Sequence, residues 1–143
     1  MYERTLTIFN LHGGSWYPTT VDKCDMKVKL SSNLTVNGIN DVGSVTIVIH
    51  CSRDKKVRSH QGVKQYLPPK EYAELVNPKP DGFYTFTPEV DFIYEGGWDS
   101  AKIDDDDYDS GFYHYMNAKK DGIHMIQACQ YFTLLPHYEI SAK

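Results

Sequence analysis

The sequence predicts a mainly β protein, a single compact β-barrel or β-sandwich domain over residues 1–143, with one short helix and long loops. Three observations predict this class. The chain has 143 residues, the usual size of one domain with one hydrophobic core. Apolar and polar residues alternate along many segments, which is the period of a strand with one solvated face. Turn-forming residues separate these segments, and neither an internal repeat nor a boundary between two domains is visible.

The first half of the chain has the clearest strand patterns. In KCDMKVKL, residues 23–30, every second residue is apolar from Cys24 onward, which predicts a strand with one buried face. In SVTIVIHC, residues 44–51, Val48 adds an apolar side chain to the opposite face, so we expect this strand to be buried on both sides. Asn37-Gly38 and Asp41 predict turns between the two strands. SRDKKVRSHQG, residues 52–62, is polar and is expected to be an exposed loop.

The second half contains the predicted helix and four further predicted strands. In PPKEYAELVN, Pro69 suits the first turn of a helix, which we expect to run two or three turns before NPKPDG ends it. GFYTFTP, VDFIYEG, FYHYMN and GIHMIQACQYFTLLP are rich in aromatic and β-branched residues and are predicted strands. Asp121-Gly122 lies between the last two and predicts a hairpin turn.

Charge and cysteine content disfavour several classes of function. Fifteen basic and 19 acidic residues give a net charge of −4, too little positive charge to hold a nucleic-acid backbone over a broad surface. The N-terminal MYERTLTIFN has no apolar signal region, and the longest aliphatic run, Val45 to Ile49, is far shorter than the ~20 residues of a membrane helix. We therefore expect a soluble intracellular protein. Cys24, Cys51 and Cys129 share no metal or disulfide spacing and are predicted to be small buried residues.

The segment IDDDDYDSGFYHYMN, residues 103–117, is the most conspicuous candidate site because it contains the four consecutive aspartates Asp104, Asp105, Asp106 and Asp107. A calcium-binding EF-hand loop starting at Asp105 would need glycine at its sixth position and glutamate at its twelfth. Ser110 and Met116 occupy those positions. Adjacent aspartates also share one solvated environment, which does not favour an acid and base pair. A solvated loop and a loop that contacts a basic surface of a partner remain as interpretations.

No other motif predicts catalysis, a metal or a cofactor. The six histidines, which we expect to have structural or surface roles, form neither HExxH nor HxH. His114 and His124 flank the predicted hairpin, but two ligands without a third do not make a zinc site. A nucleophile elbow and a glycine-rich phosphate loop are also missing from the sequence. We expect no enzyme activity, no catalytic, cofactor-binding or metal-binding residue, and no cofactor.

The aromatic residues allow three interpretations. Trp16, Tyr17, Trp98 and the run Phe112, Tyr113, Tyr115 offer a large contact area. They are either part of the core, a protein interface or a platform on which a ligand stacks.

The order of the segments resembles a known group of proteins. LTIFNLHGGSWYPTTVDKCDMKV, GSVTIVIHC, FYTFTPEVDFIYEG and the ending FYHYMN…GIHMIQACQYF…PHYEI occur in that order over nearly the whole chain. This arrangement resembles the small neck, or minor structural, proteins of tailed phages and prophages of Gram-positive bacteria. The positions that match the pattern are Trp16 and Tyr17, residues 44–49, and Pro88, Asp91, Phe92 and Ile93.

The resemblance implies a non-catalytic subunit of the phage head-tail connector, in a head-completion or stopper role. Its expected partners are further copies of itself in a ring, the portal or adaptor proteins and the tail proteins. DNA would at most pass through the channel without sequence-specific binding, and no membrane is involved. The expected location is the virion neck, with the host cytoplasm as the place of assembly. The aspartate segment is longer than the brief turn of the pattern and would reach a neighbour or narrow the channel. The expected interface residues are Trp16, Tyr17, Trp98, Asp104, Asp105, Asp106, Asp107 and Tyr108.

Two alternative functions stay open. One is a β-sandwich module that binds a carbohydrate or peptide through Trp16, Trp98 and the run at residues 112–115. The other is a small metal-dependent hydrolase that uses Asp104 to Asp107 with a histidine.

Overall fold

The structure is a computed structural model, and it describes residues 4–29, 44–76, 79–99 and 102–143. Within these ranges, the strands are β1 (Arg4–His12), β2 (Ser15–Lys29), β3 (Ser44–His50), β4 (Lys56–Ser59), β5 (Gly62–Tyr66), β6 (Phe83–Tyr84), β7 (Phe92–Tyr94), β8 (Ile103–Asp104), β9 (Ile123–Phe132) and β10 (His137–Ala142). The helices are α1 (Pro69–Ala73) and α2 (Phe112–Lys119), with single 3-10 turns at Lys79–Gly82 and Asp105–Asp107. The turns predicted at Asn37-Gly38 and Asp41 lie outside the described residues.

Six strands close into an antiparallel barrel, which confirms the predicted mainly β fold class. Their order is β1-β7-β9-β10-β3-β2, and β2 pairs back onto β1. Closure depends on β2, because its first half pairs with β1 and its second half with β3. Lys23, at φ 60°, lies where the partner changes, and a bulge of this kind bends a strand around a barrel corner. β8 adds a seventh strand by pairing with the start of β2.

The interior of the barrel is filled by the alternating apolar residues of all six strands. On β3, Val45, Ile47 and Ile49 are buried, and the residues between them are only half-buried. The expectation that this strand is buried on both faces is therefore wrong. The prediction for residues 23–30 is confirmed at Cys24 and Met26, which are buried in the same core. Alternation of this kind follows from the two-residue period of a strand in a small closed barrel.

A second hydrophobic cluster lies outside the barrel wall. It contains Phe9, Trp16, Phe92, Ile103, Phe112 and Met116. Phe9 and Phe92 are cross-strand partners on β1 and β7, and their rings stack with centroids 5.0 Å apart. α2 packs onto this surface through Phe112 and Met116, which lie one helical turn apart. The barrel wall is therefore buried on both faces here, with the aspartate segment directly beside it.

Two segments form a different kind of element from the one that the sequence predicts. FYHYMN, predicted as a strand, is most of helix α2, and Asp121-Gly122 consequently connects a helix to β9 instead of joining two strands. Gly122 does take a positive φ of 76°, and a Cβ there would meet Glu95 Cβ at 2.8 Å. The second segment, residues 52–62, is mostly exposed as expected but forms the hairpin β4–β5. Val57 explains the strand, because it is buried in the barrel core.

α1 begins at Pro69 as predicted, but with five residues it is shorter than the expected two or three turns. It follows directly after β5, the central strand of the small sheet β4-β5-β6. β6 pairs with β5 in parallel, at Gln65 with Phe83 and Tyr66 with Tyr84. This sheet carries Tyr66, Tyr84 and the adjacent Phe86 against the barrel core.

Candidate functional site

The four consecutive aspartates do not form one uniform solvated loop. Asp104 ends β8, and Ser15 Oγ donates to its Oδ1 at 3.3 Å. Asp105, Asp106 and Asp107 form a 3-10 turn that is anchored to the first hairpin, because Asp105 N donates to Gly14 O at 3.0 Å. Asp104 and Asp105 are therefore tied to the barrel by hydrogen bonds, although Asp104 stays exposed, and Asp106 and Asp107 are exposed as well.

Asp105 has a structural role that the spacing of the run does not reveal. Its Oδ1 accepts hydrogen bonds from Trp16 Nε1 and from the backbone N of Phe112, both at 2.8 Å. The second bond caps the first turn of α2, where backbone N–H groups have no partner within the helix. Gly111 enters this turn at φ 92°, and a Cβ there would lie 3.1 Å from Asp105 Oδ1. Asp105 thus joins the barrel, the acidic turn and α2.

The aromatic residues expected at an interface are mainly core residues. Trp16 and Tyr17 are each 3% exposed, which overturns the expectation that they face a partner. Trp98 is half-buried and its ring lies 5.4 Å from that of Phe9. Tyr108 is half-buried between Phe112 and Tyr115, at 5.1 and 4.7 Å. Of the residues expected to form a sugar or peptide platform, Trp16 and Phe112 are buried, and Trp98, Tyr113 and Tyr115 are half-buried. Of the expected interface residues, Asp104, Asp106 and Asp107 are exposed, and Tyr108 is half-buried beside them.

The β9–β10 turn carries an apolar surface that the sequence analysis did not single out. Leu134 and Leu135 are 92% and 77% exposed and are adjacent in the turn between two long barrel strands. The turn is not an isolated projection, because Cys51 N donates to Pro136 O at 3.2 Å. In the sequence, the two leucines directly precede Pro136. They were interpreted as the end of a predicted strand and not as an exposed turn.

A basic segment adjoins this apolar turn. Arg53 is exposed two residues after Cys51, and Lys56 and Arg58 are exposed on β4. Lys56 Nζ lies 3.5 Å from Asp54 Oδ2. The apolar turn and its basic neighbour thus contrast in charge with the exposed carboxylates of the acidic turn. Surfaces of opposite charge are typical of two regions that contact each other in an assembly.

Asp91, a position that matches the neck-protein pattern, is buried in a hydrogen-bond network. It is 1% exposed, and its carboxylate accepts from Leu11 N at 3.0 Å, Thr87 N at 2.9 Å and Asn10 Nδ2 at 2.9 Å. Asn10 Nδ2 also donates to Thr85 O at 2.6 Å. Burial raises the pKa of Asp91 to about 6, and the donated hydrogen bonds oppose the shift. The donors lie on β1 and in the segment before β7, so the Asp91 carboxylate holds the start of β7 against the end of β1.

His50 and His137 are cross-strand partners whose ring centroids lie 6.0 Å apart, whereas His114 and His124 have separate surroundings. His124 Nε2 lies 2.9 Å from Glu95 Oε2, while His114 is exposed on α2. Within the described ranges, no group of three or more histidine, cysteine or acidic side chains is arranged to hold a metal ion. The described helices also include none with the length and apolar character needed to cross a membrane.

These observations define a closed six-stranded antiparallel barrel whose first hairpin is covered by an acidic turn and a short helix. The chain belongs to a family of unknown function, DUF6751, whose model matches residues 1–143. Comparison with curated proteins and with solved structures gives no significant match.

Proposed function

We propose that this protein is a structural subunit of the head-tail connector, or neck, of a tailed phage or prophage, and that it acts by protein contacts without catalysis. The proposal joins the order of sequence segments that resembles phage neck proteins with the surface of the barrel. Its partners are further copies of itself in a ring, and the portal or adaptor and tail proteins. Its location is the virion neck, reached by assembly in the host cytoplasm.

The exposed pair Leu134 and Leu135 is the observation that carries the proposal. Scattered exposed apolar residues are normal in a soluble protein, but adjacent apolar side chains on a fixed projection are typical of contact sites. The two leucines are 92% and 77% exposed and lie between strands that pair along their length. Such a turn presents a preformed apolar contact, so little conformational entropy is lost when a partner covers it.

The charge distribution supports contact between unlike surfaces. The segment that continues from Cys51, which is bonded to the leucine turn, carries Arg53, and the acidic turn carries Asp106 and Asp107. When one surface of a subunit meets a different surface of the next, the contact repeats around an axis, and it forms a ring if the rotation closes. Opposite charges on the two surfaces favour this head-to-tail contact over a contact between identical surfaces.

The test is a paired substitution with a matched control. Leu134→Ser and Leu135→Ser together remove the apolar turn, and Val76→Ser removes one valine that is 71% exposed elsewhere. Each protein is produced alone and together with the portal, adaptor and tail proteins encoded beside it. Mass is measured by light scattering after size-exclusion chromatography, and particles are examined for the subunit. We expect wild type and Val76→Ser to assemble, and the double variant to remain a folded monomer.

A wild-type protein that stays monomeric, binds none of these partners and is absent from particles contradicts the proposal. Assembly that the double variant retains in full contradicts the role of the β9–β10 turn. The neighbouring genes provide an independent test, because a connector gene is expected between the capsid and tail-tube genes.

A further inference from the structure

A pocket of about 340 Å³ opens where the barrel core reaches the surface beneath the small sheet. Its walls include Lys55, Tyr66, Phe86, Cys129, Tyr131 and Tyr138. Its volume lies in the range of about 300–1,000 Å³ that is usual for small-molecule sites, and the region where a barrel opens is a common place for them. Tyr66, Cys129 and Tyr131 are half-buried and pack directly against the buried core. The pocket therefore extends the barrel interior to solvent.

The aromatic walls hold one another in place. Tyr138 is the central ring, with centroids 5.2 Å from Tyr66, 5.1 Å from Phe86 and 5.1 Å from Tyr131. Tyr131 and Tyr138 are also paired residues of β9 and β10. Rings fixed by packing and by strand pairing provide a preformed surface for a flat apolar group, which lowers the entropy cost of binding.

Lys55 places a positive charge at this aromatic surface. Its Nζ lies 4.6 Å from the ring centroid of Tyr131 and 5.5 Å from that of Tyr66. Among the ion pairs of the described residues, Lys56 has the carboxylate of Asp54 as its partner, whereas Lys55 has none. The ammonium group is thus directed over two rings and is open to an anion.

The backbone of Lys55 is held in an unfavourable conformation. Its φ of 63° lies in the left-handed region that side chains other than glycine rarely adopt. The conformation is fixed because Lys55 N donates to Ser52 O at 2.9 Å, while Lys55 O accepts from Tyr66 N and from Tyr84 Oη, both at 3.0 Å. These hydrogen bonds fix the backbone from which the Lys55 side chain extends over the two rings.

Tyr138 is closed to solvent and serves the pocket through packing. It is 1% exposed, and its hydroxyl lies near enough to that of Tyr84 for the two to interact. Tyr138 therefore orders the pocket wall, and the polar contact of a ligand comes from Lys55.

We propose that the pocket binds a small carboxylic acid with a flat apolar body. The carboxylate pairs with the Lys55 ammonium group, and the body lies against Tyr66, Phe86 and Tyr131. One cation above apolar walls matches one anionic group on an apolar molecule, and it disfavours cationic ligands. This binding activity goes beyond the proposed assembly function, and neither depends on the other.

The test uses 2-naphthoate as the anionic probe and 2-naphthylmethanol as a neutral probe of similar shape. Binding to the full-length protein is followed by amide chemical shifts and by titration calorimetry. Lys55→Gln removes the charge, Lys55→Arg keeps it, and Lys56→Gln makes the same change one residue away. We expect Lys55→Gln to weaken naphthoate binding by about tenfold or more, the usual effect of losing a charge-assisted hydrogen bond. Naphthylmethanol binding to this variant should change less than twofold.

Lys55→Arg and Lys56→Gln are expected to bind naphthoate nearly as well as wild type, and Tyr131→Leu to weaken both probes. The proposal is overturned if wild type shows no saturable naphthoate binding. It is also overturned if Lys55→Gln weakens both probes equally, or if the shifted amides lie away from the pocket. The Leu134→Ser, Leu135→Ser protein separates the two proposals, since it should keep naphthoate binding after losing assembly.

Discussion

Trp16 Nε1 donates to Asp105 Oδ1 at 2.8 Å, and the same oxygen accepts the backbone N of Phe112 at 2.8 Å. One carboxylate oxygen therefore connects a buried indole of β2 to the first turn of α2. This relationship changes the meaning of the aspartate run. Its second residue stabilises the fold, and only its exposed members are free to meet a partner.

Replacement of Asp105 by alanine is expected to lower the free energy of unfolding by about 1–3 kcal/mol, because two donors lose their acceptor. Asp106→Ala is the matched control, since the neighbouring side chain is exposed. It should change stability by about 0.5 kcal/mol or less. Urea unfolding followed by tryptophan fluorescence measures both. Equal effects of the two substitutions would show that the Asp105 hydrogen bonds contribute nothing to stability.

Phe112 anchors α2 to the outside of the barrel. It is fully buried, with ring centroids 5.2 Å from Phe9 and 5.7 Å from Trp98. Phe112→Ala should therefore destabilise the protein by about 3–5 kcal/mol, the usual cost of removing a buried phenylalanine. His114→Ala, at an exposed position of the same helix, is expected to have little effect. Thermal unfolding measures both, and a comparable loss in His114→Ala would contradict the packing argument.

The barrel strands were predictable because their signal is local. A strand in a closed barrel alternates between interior and exterior, so Cys24 with Met26, or Ile47 with Ile49, identifies the buried face from sequence alone. Closure was not predictable in the same way, since it requires β2 to change partners at Lys23. Sequence patterning therefore gave the mainly β class and left barrel and sandwich undecided.

Helix α2 shows why local patterns fail beside a second cluster. FYHYMN alternates like a strand, but Phe112 and Met116 are also four residues apart, and these two are the buried residues of the helix. Two contacts of Phe112 favour the helix over the strand. Asp105 accepts the hydrogen bond of the Phe112 backbone N, and Phe9, which is distant in sequence, packs against the Phe112 ring. Lys55 is a similar case, because its positive φ depends on hydrogen bonds from Tyr66 and Tyr84.

Asp91 is expected to titrate with a midpoint near 6, since burial raises its pKa to about 6 from 3.8. Between these values the folded state keeps a proton that the unfolded chain has lost. The contribution of Asp91 to stability is therefore greatest below pH 4 and falls, by about 3 kcal/mol at most, as the pH rises to 6. Carbon-13 NMR of the wild-type carboxyl groups measures the midpoint, and Asp91→Asn should remove this part of the pH dependence. A midpoint at or below 4 would contradict the expected effect of burial.

Lys64 should give a pH dependence of the opposite sign. It is buried with its Nζ donating to Pro18 O at 2.8 Å, and burial lowers its pKa to about 8 from 10.5, with Asp81 opposing the shift. Between these values the unfolded chain binds a proton that the folded state has released, so stability rises with pH. Lys64→Met lacks this titration, and the difference in unfolding free energy between wild type and the variant should grow in favour of wild type from pH 7.5 to 9.5. The buried cysteines and tyrosines have raised pKa values, which make stability fall as the pH rises. Both proteins contain them, so their effect cancels in the difference. Lys56→Met, at an exposed lysine, is the control that should run parallel to wild type. If Lys64→Met also runs parallel to wild type over this range, Lys64 stays charged in the fold and the carbonyl of Pro18 stabilises its ammonium form more than burial opposes it.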